Sequence, residues 1–197
     1  MGAVIFSQSE IRQKCRRNLD QISNSEKIDI VVAIWTQTIL RRLLQDYHEF
    51  ALFAPLGFEL PLRPVFEKLL LSEKPCYFPR TQGEQLEFYR VRSWGELAAH
   101  GPCWEPNGST EKLEDHSRLA VFCPGIAFSP LGSRIGSGRG FYDRWLARHP
   151  LALRLSLIAS PQMRFEAWPE KPSDERVDWI VSPQAAWKPE RGRARTF

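Results

Sequence analysis

The chain has 197 residues, 43% of them hydrophobic and 25% charged, which is enough for one well-buried core and makes a single domain the default. Its net charge is +4, but Lys188, Arg191, Arg193 and Arg195 against Glu190 put a net +3 in the last ten residues. The remainder is nearly neutral, which argues against a nucleic-acid-binding surface, and no apolar stretch approaches the roughly 20 residues of a membrane span.

In chain order, Ile11, Cys15 and Leu19 recur at i, i+4 and i+8 and predict a first helix over 9–22. Arg12, Lys14, Arg16 and Arg17 fall on its other faces, as a solvated basic surface unless a ligand meets them. Ser23 or Ser25 caps a second helix, running from residue 26 to Tyr47 through Ile30, Ile34, Ile39 and Leu43. A short apolar strand is expected over 50–55, then a loop with Leu56 and Glu59, a helix over 62–71, and strands over 75–80 and 86–91. In Cys103-Trp104-Glu105-Pro106 the tryptophan either packs in the core or offers an aromatic face to a ligand. The run 119–123 reads as a buried strand. A helix is expected over 141–148, with Phe141 and Trp145 at i and i+4, a central strand over 153–159, and a closing element over 174–181. With Pro189 and Gly192 in it, 185–197 reads as a mobile basic tail, leaving 1–184 as one domain. Strands alternating with helices specify an α/β layered sheet.

Chemistry concentrates between the 119–123 strand and the 141–148 helix. Gly136, Gly138 and Gly140 alternate there, so the backbone can approach a ligand closely or adopt positive φ. The loop ends at a helix start, where unpaired N–H groups and the helix dipole favour an anion. Arg134 and Arg139 can donate charge-assisted hydrogen bonds to phosphate, and Asp143 is a hard-oxygen ligand suited to Mg²⁺. The Walker pattern would need Gly-Lys where Ser137 and Gly138 stand, and the dinucleotide pattern would need glycine at Phe141. Spacing alone therefore gives an anion loop of unspecified type. Residues 1–9 lack the basic start and apolar run of a secretory signal. Cys15, Cys76, Cys103 and Cys123 are scattered, the pattern of free thiols in a reducing compartment, so the cytoplasm is expected. His48, His100, His116 and His149 show no metal-ligand spacing, and there is no Gly-x-Ser-x-Gly elbow for serine hydrolysis.

The residues themselves are more specific than their spacing. Pro124-Gly125-Ile126-Ala127-Phe128, followed by Gly132-Ser133-Arg134-Ile135-Gly136-Ser137-Gly138-Arg139-Gly140-Phe141-Tyr142-Asp143, resembles the signature of the 5-formyltetrahydrofolate cyclo-ligase (5,10-methenyltetrahydrofolate synthetase) family. Ser133 stands where that family usually has Asn. The resemblance spans about residues 8–182. It implies a three-layer α/β/α fold with a mostly parallel sheet, like that of NagB, RpiA and the CoA transferases, with two N-terminal helices. It also implies a monomer that closes 5-formyltetrahydrofolate to 5,10-methenyltetrahydrofolate with ATP and Mg²⁺, without nucleic-acid or membrane partners. By position, Gln8, Arg12, Arg134, Gly136, Ser137, Gly138, Arg139, Gly140, Phe141 and Tyr142 would meet ATP. Leu56, Glu59, Trp104 and Tyr142 would meet the folate, although Tyr142 could equally be core. Arg134 and Tyr142 are the catalytic candidates, and Asp143 and Asp178 the metal ligands. Departures at Gln8 (Lys in the family), Leu62 (Thr) and Gln162-Met163 leave a second reading open, a weak or inactive paralogue that binds folate or nucleotide.

Overall fold

The computed structural model describes residues 6–108, 110–114, 118–164 and 168–189. A capping box opens each of the first two helices. At α1 (Gln8–Asp20) the Ser7 hydroxyl accepts from the Glu10 N–H while the Glu10 carboxylate accepts from the Ser7 N–H. Ser23 and Glu26 repeat this at α2 (Asn24–Trp35). Where the sequence pattern reads one long second helix, the chain breaks, and α3 spans Thr38–Leu44. Thr36 donates its hydroxyl back to the Ala33 carbonyl, and extended Gln37 donates its side-chain amide to the Ser182 carbonyl at 2.6 Å. A long-range bond thus competes with helix continuation at a β-branched residue. Among the described residues three helices, not two, precede the first strand.

The strands are β1 (Glu49–Ala51), β2 (Cys76–Gln82), β3 (Gln85–Val91), β4 (Leu97–His100), β5 (Cys103–Pro106), β6 (Leu119–Phe122), β7 (Ala127–Phe128), β8 (Arg134–Ile135), β9 (Leu153–Leu157), β10 (Trp179–Val181) and β11 (Ala186–Trp187). Helices α4 (Arg63–Leu71) and α5 (Phe141–Arg148) lie between them. The main sheet is seven-stranded in the order β11-β10-β9-β6-β1-β2-β3. Its five inner strands are parallel and the two edges antiparallel. β6 and β9 are buried along their whole length, as expected for central strands covered on both faces. Phe50, Phe122 and Leu155 pack with Val31, Ile34 and Phe66 of α2 and α4. Ala51, Val121 and Ile180 pack with Trp145 and Leu146 of α5. The expected three layers and mostly parallel sheet follow.

Two features were not legible in the sequence pattern. β11 pairs with β10 beyond residue 184, so the folded unit continues past the boundary set by the tail's composition. The stretch expected to be mobile lies, from residue 190 on, outside the described residues. The small pairs β4–β5 and β7–β8 stand apart from the main sheet, and α1 lays Ile11 and Cys15 on Ile126, Ala127 and Ile135 of the β7–β8 hairpin. Among the described residues no helix is long and apolar enough to cross a membrane.

Candidate active site

The parallel strands β1, β2 and β6 run the same way, and the segments after β1 and β6 open into one cavity of about 760 Å³. Crevices at the carboxyl ends of parallel strands are where α/β sheets bind ligands. Backbone geometry builds the wall after β6. A Cβ on Gly125 would lie 2.4 Å from the ring of buried Phe128, so only glycine lets this turn close. Gln162, buried, donates its side-chain amide to the Gly125 carbonyl at 2.8 Å and accepts from the Ala159 N–H. Gly138 (φ 99°) and Gly140 (φ 66°) take left-handed conformations, Gly140 as the N-cap of α5.

Charges converge on this loop. Arg134 is almost fully buried; it donates to Asp143 Oδ1 at 2.7 Å and to the Pro124 carbonyl at 3.2 Å. The Glu175 N–H also reaches Asp143 Oδ1, at 3.2 Å, tying the approach to β10 to the first turn of α5. Arg12 of α1 donates Nε to the Gly136 carbonyl at 2.9 Å, and burial together with Arg16 lowers its pKa. Gln8 reaches the Pro169 carbonyl at 2.8 Å. Arg139 is exposed, its guanidinium 4.8 Å from the Phe141 ring centre. Gly136, Ser137, Phe141 and Tyr142 line the same wall.

Across the cavity, Leu56 and Glu59 form a tight turn. Glu59 N–H donates to the Leu56 carbonyl, and Leu56 N–H donates to Glu59 Oε2 at 2.9 Å. Buried Lys27 of α2 donates to the Gly57 carbonyl at 2.9 Å and fixes the turn from below. Burial pushes the Glu59 carboxyl up to about 7, against the lowering effects of the Leu56 N–H and Arg16. The Tyr142 hydroxyl is buried and has no hydrogen-bond partner among the described residues, and burial raises its pKa well above the ordinary value. Tyr142 also lines the cavity, which makes this hydroxyl a candidate contact for a ligand. Trp104, half exposed on the β4–β5 hairpin, is on the cavity rim rather than in the core. Below it, buried Glu105 accepts from the Thr81 hydroxyl at 2.6 Å and from its N–H.

Of the expected site residues, Gln8, Arg12, Leu56, Glu59, Trp104, Arg134, Gly136, Ser137, Gly138, Arg139, Gly140, Phe141, Tyr142 and Asp143 share this one cavity. Asp178 does not. Its Oδ2 accepts from the Arg154 N–H at 3.0 Å and its own N–H donates to the Arg154 carbonyl, at the amino end of β10. Asp178 is thus not on the cavity wall beside Asp143, whereas Asp174 of the same segment is. Asp174 Oδ2 accepts from the Lys171 N–H at 2.8 Å. Lys27 and Thr81 are site-building residues the sequence pattern did not mark, and each acts through a long-range contact, which periodicity does not carry. Lys171, on the cavity wall, was not marked either.

A mostly parallel α/β sheet with a charged, glycine-lined cavity at its strand ends is the arrangement of a small-molecule enzyme. The chain belongs to the 5-formyltetrahydrofolate cyclo-ligase family, whose model matches residues 4–183. It is similar to the probable 5-formyltetrahydrofolate cyclo-ligase of Caenorhabditis elegans, 26% identical over 163 residues that make up 76% of this chain and 77% of that protein. It is also similar to the 5-formyltetrahydrofolate cyclo-ligase of Mus musculus, 24% identical over 160 residues, 75% and 78% of the two chains. The solved structure of Aquifex aeolicus 5,10-methenyltetrahydrofolate synthetase superposes with a TM-score of 0.75 at 28% identity, over 96% of each chain.

Proposed function

We propose that this chain catalyses the ATP- and Mg²⁺-dependent closure of 5-formyltetrahydrofolate to 5,10-methenyltetrahydrofolate, as a monomer in the cytoplasm. The observation that carries the proposal is that the glycine loop and the Leu56–Glu59 turn face one cavity, so an anionic nucleotide and a flat heterocycle can be held against each other. The thiols of Cys76, Cys103 and Cys123, two of them buried and none in a disulfide, support a reducing compartment.

The formyl oxygen is a poor leaving group. It takes the γ-phosphoryl group, releasing ADP; N10 then attacks the activated formyl carbon, loses its proton and expels phosphate. Positioning and charge stabilisation dominate such a reaction. The Gly136–Gly140 backbone, the unpaired N–H groups opening α5, and Arg12 and Arg139 would meet the phosphates. Arg134, held in its pair with Asp143, would orient that carboxylate and support the loop. Glu59 and the Tyr142 hydroxyl would meet polar edges of the folate, with Trp104 against its ring.

The donor set fits Mg²⁺. Asp143 and Asp174, carboxylates that line the same cavity, would be its hard-oxygen ligands, and among the described residues no cluster of three or more acidic, histidine or cysteine side chains forms an all-protein cage. Mg²⁺ favours one or two carboxylates completed by phosphate oxygens and water, and would supply charge neutralisation to the transferred group. The test is to mix purified protein with 5-formyltetrahydrofolate, Mg²⁺ and ATP and follow the near-ultraviolet absorbance of the methenyl product. ATP-dependent growth is expected. Ligand binding without growth would favour a non-catalytic paralogue.

A further inference from the structure

The basic side chains around the glycine loop are mostly committed to the protein. Arg134 is neutralised by Asp143. Arg12 donates Nε to the Gly136 carbonyl, and Arg144 donates to the carbonyls of Arg139 and Glu84. Lys171 is different. It lies on the cavity wall, exposed, and its ammonium has no hydrogen bond or ion pair among the described residues.

Its backbone is fixed. The Lys171 N–H donates to Asp174 Oδ2 at 2.8 Å, the Asp174 N–H returns to the Lys171 carbonyl at 3.0 Å, and Pro172 restricts the residue before it. The Pro169 carbonyl is tied to Gln8 at the start of α1, which places this turn beside the loop that Arg12 touches. None of the acidic neighbours pairs with the ammonium: Glu170 accepts from Ser133 and Arg176, Glu175 from Arg154, and Asp174 Oδ2 from the Lys171 backbone N–H. The outcome is a lysine with an ordered backbone and an unspent charge, lining the same cavity as exposed Arg139.

We infer that Lys171 is a nucleotide-binding residue: its ammonium meets the polyphosphate in the cavity that Arg139 and the glycine loop also line. This rests on the proposed ATP-dependent reaction. A flexible ammonium suits the outer phosphates of a nucleotide, whose charge is spread over several oxygens with no fixed bidentate geometry.

The test compares wild type, Lys171→Met and Lys171→Arg in the full chain. ATP binding is measured directly by titration calorimetry without folate, and KM for each substrate by product absorbance. Lys171→Met should weaken ATP binding and raise KM for ATP by about tenfold, the scale of one lost charge-assisted contact, while KM for 5-formyltetrahydrofolate and the melting temperature stay unchanged. Lys171→Arg should recover most of the loss. Unchanged ATP affinity in Lys171→Met would overturn the inference. So would a rise confined to KM for the folate, which would assign the ammonium to the substrate's glutamate carboxylates. Wild type that binds ATP without turnover would contradict the proposed reaction instead, and the binding comparison would still decide the role of Lys171.

Discussion

Glu59 shows how one side chain can report on the site. A carboxyl whose pKa burial raises to about 7 holds its proton in the folded chain at a pH where the unfolded chain, with a value near 4.3, has lost it. The folded state binds more protons between those values, so stability must fall as pH rises through that window and level off above it. Glu59→Gln keeps an acceptor for the Leu56 N–H and removes the ionisation. It should therefore be more stable than wild type above pH 7, by up to about 3 kcal/mol, and indistinguishable near pH 4. Urea denaturation across pH checks this; parallel stability curves for the two proteins would contradict it. Asp143→Asn is the complementary case. The amide oxygen can still accept from Arg134 and the Glu175 N–H, but the negative charge is gone. Turnover should drop at least roughly 100-fold with a rise in the Mg²⁺ requirement, a loss on the scale of one electrostatic transition-state contact. Wild-type turnover at low Mg²⁺ would remove Asp143 from its proposed role.

At the scale of elements, the connection from β6 to α5 is held by groups that leave no room for substitution. Gly132 has φ 84°, and a Cβ there would lie 2.6 Å from the Val177 carbonyl oxygen. Gly132→Ala should cost about 1–3 kcal/mol or more, because strain and a backbone clash add. A denaturation midpoint equal to wild type would mean that the approach of Val177 is not needed. Ser133, in place of the family's Asn, is buried and donates to Glu170, which in turn binds Arg176. The departure is thus absorbed by a polar chain joining the loop to the segment before β10.

This element was legible in the sequence because its requirements are local: glycines at positive φ, a helix start, and an arginine and aspartate nine residues apart. The break after Trp35 was not legible. Ile30, Ile34, Ile39 and Leu43 are nearly helical in spacing, and what ends the helix is a bond from Gln37 to Ser182, distant in sequence. Leu62, which replaces a family Thr, is buried in the core beside α4 and carries no polar function here.

For the whole molecule, the sheet order decides which residues meet. Placing β10 beside β9 returns the 169–178 segment to the cavity, so the approach to β10 contributes to a site begun by the first helix. That segment holds two aspartates, Asp174 and Asp178, and motif position favoured the second. Burial and periodicity cannot separate residues four apart in an extended stretch. The pairing of β10 with β9 does, because it engages Asp178 with the Arg154 backbone and leaves Asp174 on the cavity wall.

The proposed assignment of Asp174, rather than Asp178, to the Mg²⁺ site of the ATP-dependent reaction is tested most directly by comparing Asp174→Asn and Asp178→Asn with wild type in one assay of methenyl product formation at varied Mg²⁺. It predicts ATP-dependent product from wild type and from Asp178→Asn at closely similar rates. Asp174→Asn should fall roughly 10–100-fold and recover in part as Mg²⁺ is raised. Absence of product from wild type, or loss of turnover in Asp178→Asn with Asp174→Asn unaffected, would contradict it.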